Sequence, residues 1–139
     1  MSLLRKIVSV CALTAVLVAA TAAFGAENGL YRGSVVGDSG QDLRVKVKNG
    51  RVVKFLANVD ASCGFADLTI SVVYPPVGAP ENSSIRIRGN GKFKATFVGN
   101  PEVPDDIRTI AGKFNGRNVN GTIKVVGPCT SEDRYRASR

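Results

Sequence analysis

Apolar and polar residues alternate along most of the chain from about residue 43 onward, and this period of two predicts antiparallel β-strands. Between Leu43 and Lys48, for example, apolar residues alternate strictly with basic ones. Further apolar rows lie within residues 53–59, 68–72, 85–87, 93–97, 110–114 and 119–125. Each row is followed by a turn signal. The pattern therefore predicts an all-β fold, an antiparallel meander of about eight strands that forms a sandwich or a closed barrel.

The turn at Asn49-Gly50 sets the first register. Paired strands must bury the same face, because a slip of one residue turns a whole apolar row outward. A two-residue turn here would set Val45 against Lys54 and mix the faces. We therefore predict a three-residue loop, residues 48–50, which pairs Val45 with Val53.

The same test gives the registers of two later hairpins. It pairs Ile87 with Phe93 in the first, and in the second it sets Gly112 directly opposite Gly121, with both glycines facing inward. Two facing glycines leave room for an aromatic ring or allow a sharp bend of the sheet. A ligand cavity at this point is the alternative.

The N-terminal residues 1–25 have the three parts of an export signal, namely Arg5 and Lys6, an apolar run over residues 7–20, and small residues after it. A membrane anchor is the competing interpretation, but the run is shorter than the roughly 20 apolar residues that an anchor needs. We predict that residues 1–25 are cleaved and that residues 26–139 form a single all-β domain with no transmembrane segment. Such a domain is secreted, or lies in the periplasm or cell envelope.

Cleavage would remove Cys11 and leave two cysteines, Cys63 and Cys129. In an exported protein such a pair is most simply a disulfide. Closing the long loop between the two cysteines would stabilise the fold by roughly 4 kcal/mol in the chain-entropy model.

The chain contains no histidine, so catalytic triads, metal-assisted hydrolysis and histidine acid–base chemistry all lack a usual participant. The acidic group Glu102, Asp105 and Asp106 lies among prolines, and its simplest interpretation is a solvated loop. A calcium site or a carboxylate pair of a hydrolase is the alternative. The sequence predicts a non-catalytic domain with no cofactor and no metal site.

Basic residues give a stronger functional signal, because the predicted registers place three pairs of them directly opposite one another on the outward face. These pairs are Arg44 with Lys54, Arg86 with Lys94, and Arg88 with Lys92. Like charges across a strand pair are destabilising. One interpretation is a cationic face that binds an anionic polymer or surface of the envelope or the extracellular space. The other is a soluble surface whose lysine-rich edges resist aggregation.

Two proline-rich segments, residues 75–82 and 98–106, support an alternative function. Mobile loops on a rigid scaffold are typical of a protein-binding module, such as an inhibitor of an extracellular hydrolase. Nucleic acid is the weakest candidate partner, because the phenylalanines share the inward parity and offer no outward stacking platform. A hydrolase that uses Asp105 or Asp106 is the least favoured function.

Several short motifs carry a resemblance to a known group of proteins. They are Tyr31-Arg32-Gly33 near the start of the domain, the two cysteines, and the late Gly121-Thr122. The chain resembles a loose group of small secreted bacterial β domains that is common in actinobacteria. This resemblance implies export and an all-β fold, with Cys63 and Cys129 as the bridging pair and Tyr31, Gly112 and Gly121 as structural residues. It implies no activity.

Overall fold

Nine β-strands make up the part of the chain that the computed structural model describes, residues 25–37 and 42–139. They are β1 (Gly29–Val35), β2 (Asp42–Lys48), β3 (Arg51–Ser62), β4 (Asp67–Tyr74), β5 (Ile85–Arg86), β6 (Lys92–Asn100), β7 (Val103–Asn115), β8 (Asn118–Val126) and β9 (Ser131–Ser138). Within these ranges no helix is long and apolar enough to cross a membrane. The predicted signal segment lies outside the described residues apart from Gly25, and its cleavage stays a prediction.

The strands form one antiparallel sheet in the order β4-β3-β2-β1-β9-β8-β7-β6, and the short β5 pairs with β3 beyond the end of β4. The sheet curls until its two end strands, β4 and β6, approach each other. The rings of Tyr74 on β4 and Phe97 on β6 pack edge-on, with centroids 5.5 Å apart. The fold is therefore all-β, as predicted, and of the two predicted architectures it is the barrel, nearly closed. We call the unpaired junction between β4 and β6 the seam.

Aromatic rings fill the interior of the barrel. Phe55 packs edge-on against Tyr135 with ring centroids 5.4 Å apart, and Tyr31 packs edge-on against Phe114 at 5.0 Å. All four side chains are fully buried or nearly so, and Phe93 joins them. Buried aromatic side chains each remove a large apolar area from water. The two tyrosines extend the core to β1 and β9, the first and last strands.

The predicted register of the last hairpin is confirmed, with Gly112 opposite Gly121. A Cβ atom at Gly121 would lie 2.6 Å from Cζ of Tyr135, and one at Gly112 would lie 2.6 Å from Cε1 of Phe93. The hydroxyl of Tyr135 crosses this space and donates to the carbonyl of Ala111 at 3.0 Å. The two glycines thus make room for aromatic rings, which is the first of the predicted interpretations, and those rings occupy the space of the alternative ligand cavity.

The predicted three-residue loop at residues 48–50 is wrong. Asn49 and Gly50 alone form the turn, with φ of 51° and 70°, as a two-residue hairpin of the mirror-image type requires. Val47 pairs with Val52, after which the register shifts so that Lys46 pairs with Lys54. A β-bulge at Val53, the third residue after Gly50, therefore restores the inward parity from Phe55 onward.

The predicted pairing of Ile87 with Phe93 and of Arg86 with Lys94 is also wrong. Strand β5 has only two residues, and its Arg86 lies opposite Arg51 of β3. Strand β6 pairs along its length with β7, so that Lys94 lies opposite Ala111. The hairpin does not form over this length because β5 pairs with β3 instead, and the amide of Ile87 donates to the carbonyl of Gly50 at 3.1 Å.

Of the two proline-rich segments, only residues 75–84 form a long connection, between β4 and β5. The predicted loop at residues 98–106 is wrong, since β6 continues to Asn100 and β7 begins at Val103. Only Pro101 and Glu102 remain between the strands. The register shift after Val98 accommodates Pro104, because a proline is tolerated where the ladder needs no amide donor.

The disulfide between Cys63 and Cys129 is confirmed, with Cα atoms 4.1 Å apart. It joins the end of β3 to the connection between β8 and β9. Next to it, Ser62 and Thr130 exchange backbone hydrogen bonds of 2.9 and 2.8 Å. These contacts link two strands that are not neighbours in the sheet order, and they close this end of the barrel. A disulfide is compatible with an exported protein.

Candidate anion-binding groove

Two adjoining depressions lie on the outer surface of the sheet, across strands β1, β9, β8, β7 and β6. The first, of about 330 Å³, is lined by Arg88, Lys92, Phe93, Lys94, Ala111, Gly112, Lys113, Asn120, Gly121 and Thr122. The second, of about 410 Å³, is lined by Arg32, Gly33, Ser34, Asn115, Asn118, Asn120, Arg136, Ala137 and Ser138. Both include Asn120, so they form one surface, which we call the basic groove.

The ladder registers align the polar side chains of the basic groove in rows across the strands. One row consists of Ser34, Arg136, Asn120, Lys113 and Lys92, each directly opposite the next on β1, β9, β8, β7 and β6. Neighbouring strands lie about 4.8 Å apart. The row therefore spans four strand spacings, or roughly 19 Å, and it presents one outward side chain on every strand.

The floor of the first depression is made of short side chains. Ala111 lies opposite Thr122, between the longer side chains of Lys94 and Lys113 on the outer face. Directly beneath, the inner face is filled by Tyr135, whose hydroxyl bonds to the Ala111 carbonyl. The floor is therefore supported from inside by the barrel core.

The charged side chains that line the basic groove carry charges of one sign. Among the residues that the structure describes, six basic side chains line it, namely Arg32, Arg88, Lys92, Lys94, Lys113 and Arg136, and no carboxylate lines either depression. The ion pairs of residues 25–37 and 42–139 involve other cations: Arg44 with Asp42, Arg108 with Asp106, and Arg139 with Glu27. Within this part of the chain, the six cations have no carboxylate within 4.0 Å. A concave surface with charges of one sign concentrates counter-ions of the other.

The six residues predicted from the sequence to bind anions fall into two groups in the structure. Arg88, Lys92 and Lys94 line the basic groove. The other three, Arg44, Lys54 and Arg86, lie on β2, β3 and β5 and do not line it.

Of the predicted cross-strand pairs, Arg88 and Lys92 do lie across the turn between β5 and β6, where the amide of Arg88 donates to the carbonyl of Lys92 at 2.9 Å, and the other two pairs change. Arg44 lies opposite Leu56 instead of Lys54, and its guanidinium pairs with Asp42 at 3.0 Å. Like-charged neighbours do occur on these strands, with other members than predicted. Lys46 lies opposite Lys54, Lys48 opposite Arg51, and Arg51 opposite Arg86. We call these five residues the basic ladder.

Three cations of the basic groove, Arg32, Lys113 and Arg136, were missed from the sequence. Lys113 was within reach, since the confirmed register of the last hairpin places it opposite Asn120. Arg136 lies on β9, where Tyr135 and Ala137 face inward and alternate with polar residues. That alternation is a strand signal, but only two apolar residues carry it, so it is weak.

The acidic residues that the sequence singled out do not form a carboxylate pair. Asp105 and Asp106 are successive residues of β7 and so project to opposite faces of the sheet. The carboxylate of Asp106 pairs with Arg108 at 2.9 Å, and both side chains are largely buried. The predicted solvated loop is thus wrong for Asp106. In the described ranges, no group of three or more Asp, Glu, Cys or His side chains is placed to hold a metal ion.

Comparison of the chain with protein-family models, with curated proteins and with solved structures finds no match. The candidate site therefore rests on its own geometry and charge.

Proposed function

We propose that this chain is an exported, non-catalytic domain that binds an anionic polymer or surface of the cell envelope or extracellular space through the basic groove. One observation carries the proposal: six basic side chains converge on a concave surface that no carboxylate of the described part of the chain lines. Export itself follows from the predicted signal segment, and the Cys63–Cys129 disulfide is compatible with it.

The ligand must carry several negative charges. A single exposed ion pair contributes only about 0–1 kcal/mol, because water and salt screen it. Measurable affinity for such a surface therefore needs several contacts made together by one molecule, as in a polyanion. Screening also predicts a strong dependence on salt, since the Debye length falls from about 10 Å at 0.1 M to about 3 Å at 1 M ionic strength.

Two matched triple variants test the proposal on immobilised heparin. Lys92→Gln, Lys113→Gln and Arg136→Gln together remove three charges from one row of the basic groove. The control, Lys46→Gln, Arg51→Gln and Lys54→Gln, removes three charges from the basic ladder. We expect the groove variant to elute at a clearly lower salt concentration and the control to elute close to the unchanged protein. Equal losses in both variants, or no retention of the unchanged protein, would contradict the proposal.

A protein-binding module is the second candidate. It is favoured by two apolar side chains that stand almost free in solvent, Phe65 at 95 % and Val77 at 78 % exposure. Val77 lies in the proline-rich connection between β4 and β5, and Phe65 in the turn after Cys63. An extracellular hydrolase whose inhibition is lost in a Phe65→Ser, Val77→Ser variant, and kept in the groove variant, would favour this candidate over the first.

A further inference from the structure

We infer that the ligand of the basic groove is an extended acidic polysaccharide that carries a carboxylate on about every second sugar and lies across the strands. This inference rests on the proposed function and deepens it, because it names the class of polyanion. It follows from the spacing of the cations, from the amides between them and from the direction of the rows.

The rows set the direction and the repeat of the ligand. Because adjacent strands are about 4.8 Å apart, a chain that crosses them meets a new side chain at each step of that length. This step is comparable with the length of one sugar in an extended glycan. A glycan that follows the row from Ser34 to Lys92 would therefore place about one sugar over each strand.

The cations are not evenly spaced along this row. Arg136 and Lys113 lie on β9 and β7, with Asn120 of β8 between them. The two charges are thus separated by two strand spacings, or roughly 10 Å. A polymer with one carboxylate in each disaccharide matches this interval, whereas a polyanion with a charge on every unit would place one against the Asn120 amide. The third cation of the row, Lys92, lies only one strand spacing beyond Lys113, so both lysines would contact the same carboxylate of such a polymer.

The uncharged polar residues between and beside the cations suit hydroxyl groups. Asn115, Asn118 and Asn120 are exposed on the outer face, together with Thr122 and Ser138. In the part of the chain that the structure describes, the three asparagine side chains make no hydrogen bond to other protein groups. An amide both donates and accepts hydrogen bonds. A sugar hydroxyl does the same and can pair with both the NH2 group and the oxygen, whereas an anionic oxygen only accepts and can pair with the NH2 group alone.

The Asn118 and Asn120 side chains provide the test, because their removal changes no charge. We would measure binding of the mature protein to hyaluronate, which has one carboxylate per disaccharide, and to poly-glutamate, which has carboxylates and no hydroxyls. The double variant Asn118→Ala, Asn120→Ala is compared with Asn82→Ala, an exposed asparagine in the connection between β4 and β5. Circular dichroism confirms that each variant is folded.

We expect the double variant to bind hyaluronate about tenfold more weakly, as the loss of two modest hydrogen bonds implies. Its binding to poly-glutamate should be unchanged, and Asn82→Ala should alter neither. Binding of poly-glutamate as tight as that of hyaluronate, with no effect of the asparagines, would overturn the inference and leave the proposed function intact. Tighter binding of polygalacturonate, charged on every sugar, would overturn the inferred charge interval. If no polyanion binds, the proposed function fails as well.

Discussion

Two adjoining regions of the barrel are held together in different ways. On the side of the basic groove, strands β1, β9, β8, β7 and β6 are joined by continuous backbone ladders. At one edge of this region lies the seam, where β6 and β4 have no ladder between them. The region of β1, β9, β8, β7 and β6, which we call the wall, holds its outward side chains in register through these ladders. The seam leaves backbone groups unpaired. The candidate site lies on the wall, where its charges keep a fixed spacing.

Side chains bridge the seam in place of a ladder. Arg108 of β7 passes over Gly99 of β6, where a Cβ atom would lie 2.5 Å from the Arg108 Cδ. Its guanidinium donates to the carbonyl of Ser71 on β4 and also pairs with Asp106. Nearby, the rings of Tyr74 and Phe97 meet edge-on at 5.5 Å. The seam is therefore held by a few specific side-chain contacts, whereas the wall is held by the repeated backbone hydrogen bonds of its ladders.

The largest expected effect comes from breaking the wall at its tightest point. In a Gly121→Ala variant the new methyl group would lie 2.6 Å from Cζ of Tyr135, while Gly89→Ala places its methyl group in open space. We expect Gly121→Ala to lower the free energy of unfolding by about 3 kcal/mol, because a packed interior cannot move aside. Gly89→Ala should change it by about 0.5 kcal/mol or less. Urea denaturation measures both.

Gly121→Ala should also weaken polyanion binding, because Tyr135 supports the floor of the basic groove from inside. A Gly121→Ala protein as stable as the Gly89→Ala control would mean that the wall is looser than its registers indicate.

The seam is broken by removing Arg108. An Arg108→Met variant leaves Asp106 without its cation in a place where its side chain is only 15 % exposed. We expect a loss of about 2 kcal/mol, less than for a fully buried pair because some solvent remains. Arg44→Met is a close control, since Arg44 and Asp42 form the same type of pair two residues apart, but at 47 % and 70 % exposure. That control should lose about 0.5 kcal/mol or less.

The location of the effect separates the seam from the wall. Amide hydrogen exchange in Arg108→Met should rise in β4, where Ser71 loses its partner, and stay low in β8 and β9. Binding to heparin should not fall. Exchange that rises equally in all strands would show that the seam and the wall unfold as one unit.

The same contrast explains which features of the structure could be predicted from the sequence. Alternation of apolar and polar residues is enough to predict the strands and the confirmed register that sets Gly112 opposite Gly121, because both depend on neighbours along one hairpin. The bulge at Val53 could not be predicted in this way, since a loop of different length satisfies the same parity. Both solutions bury Phe55, Ala57 and Val59, and they differ in that the bulge buries Val52 in place of Val53.

The basic groove was predicted only in part, because its charges come from distant strands. Lys92 and Lys113 become neighbours through the ladder of β6 with β7, and Arg136 joins them only because β9 returns between β1 and β8. Registers worked out for single hairpins cannot predict that Arg136 lies beside these lysines. Arg108 was missed for a similar reason, since its partner on β4 lies 37 residues away in the chain.

The smallest expected effect concerns the hydroxyl group at the centre of the wall, and it depends on pH. A Tyr135→Phe variant keeps the ring that fills the space beside Gly121 and loses the hydrogen bond to the Ala111 carbonyl. At pH 7 we expect a loss of about 1 kcal/mol. Burial also raises the pKa of the Tyr135 hydroxyl well above its usual value of about 10. The folded protein therefore holds this proton more tightly than the unfolded chain does.

Stability from this group is complete below about pH 10 and falls as the pH rises further, by at most about 1.4 kcal/mol per pH unit. Tyr135→Phe removes that dependence, so the two proteins should become about equally stable near pH 11. A smaller alkaline loss should remain in the variant, because burial raises the pKa of Tyr31 and of Tyr74 as well. Urea denaturation between pH 7 and 11 tests this expectation. Parallel stability curves for the two proteins would mean that water reaches the Tyr135 hydroxyl, and that the wall is not closed at this point.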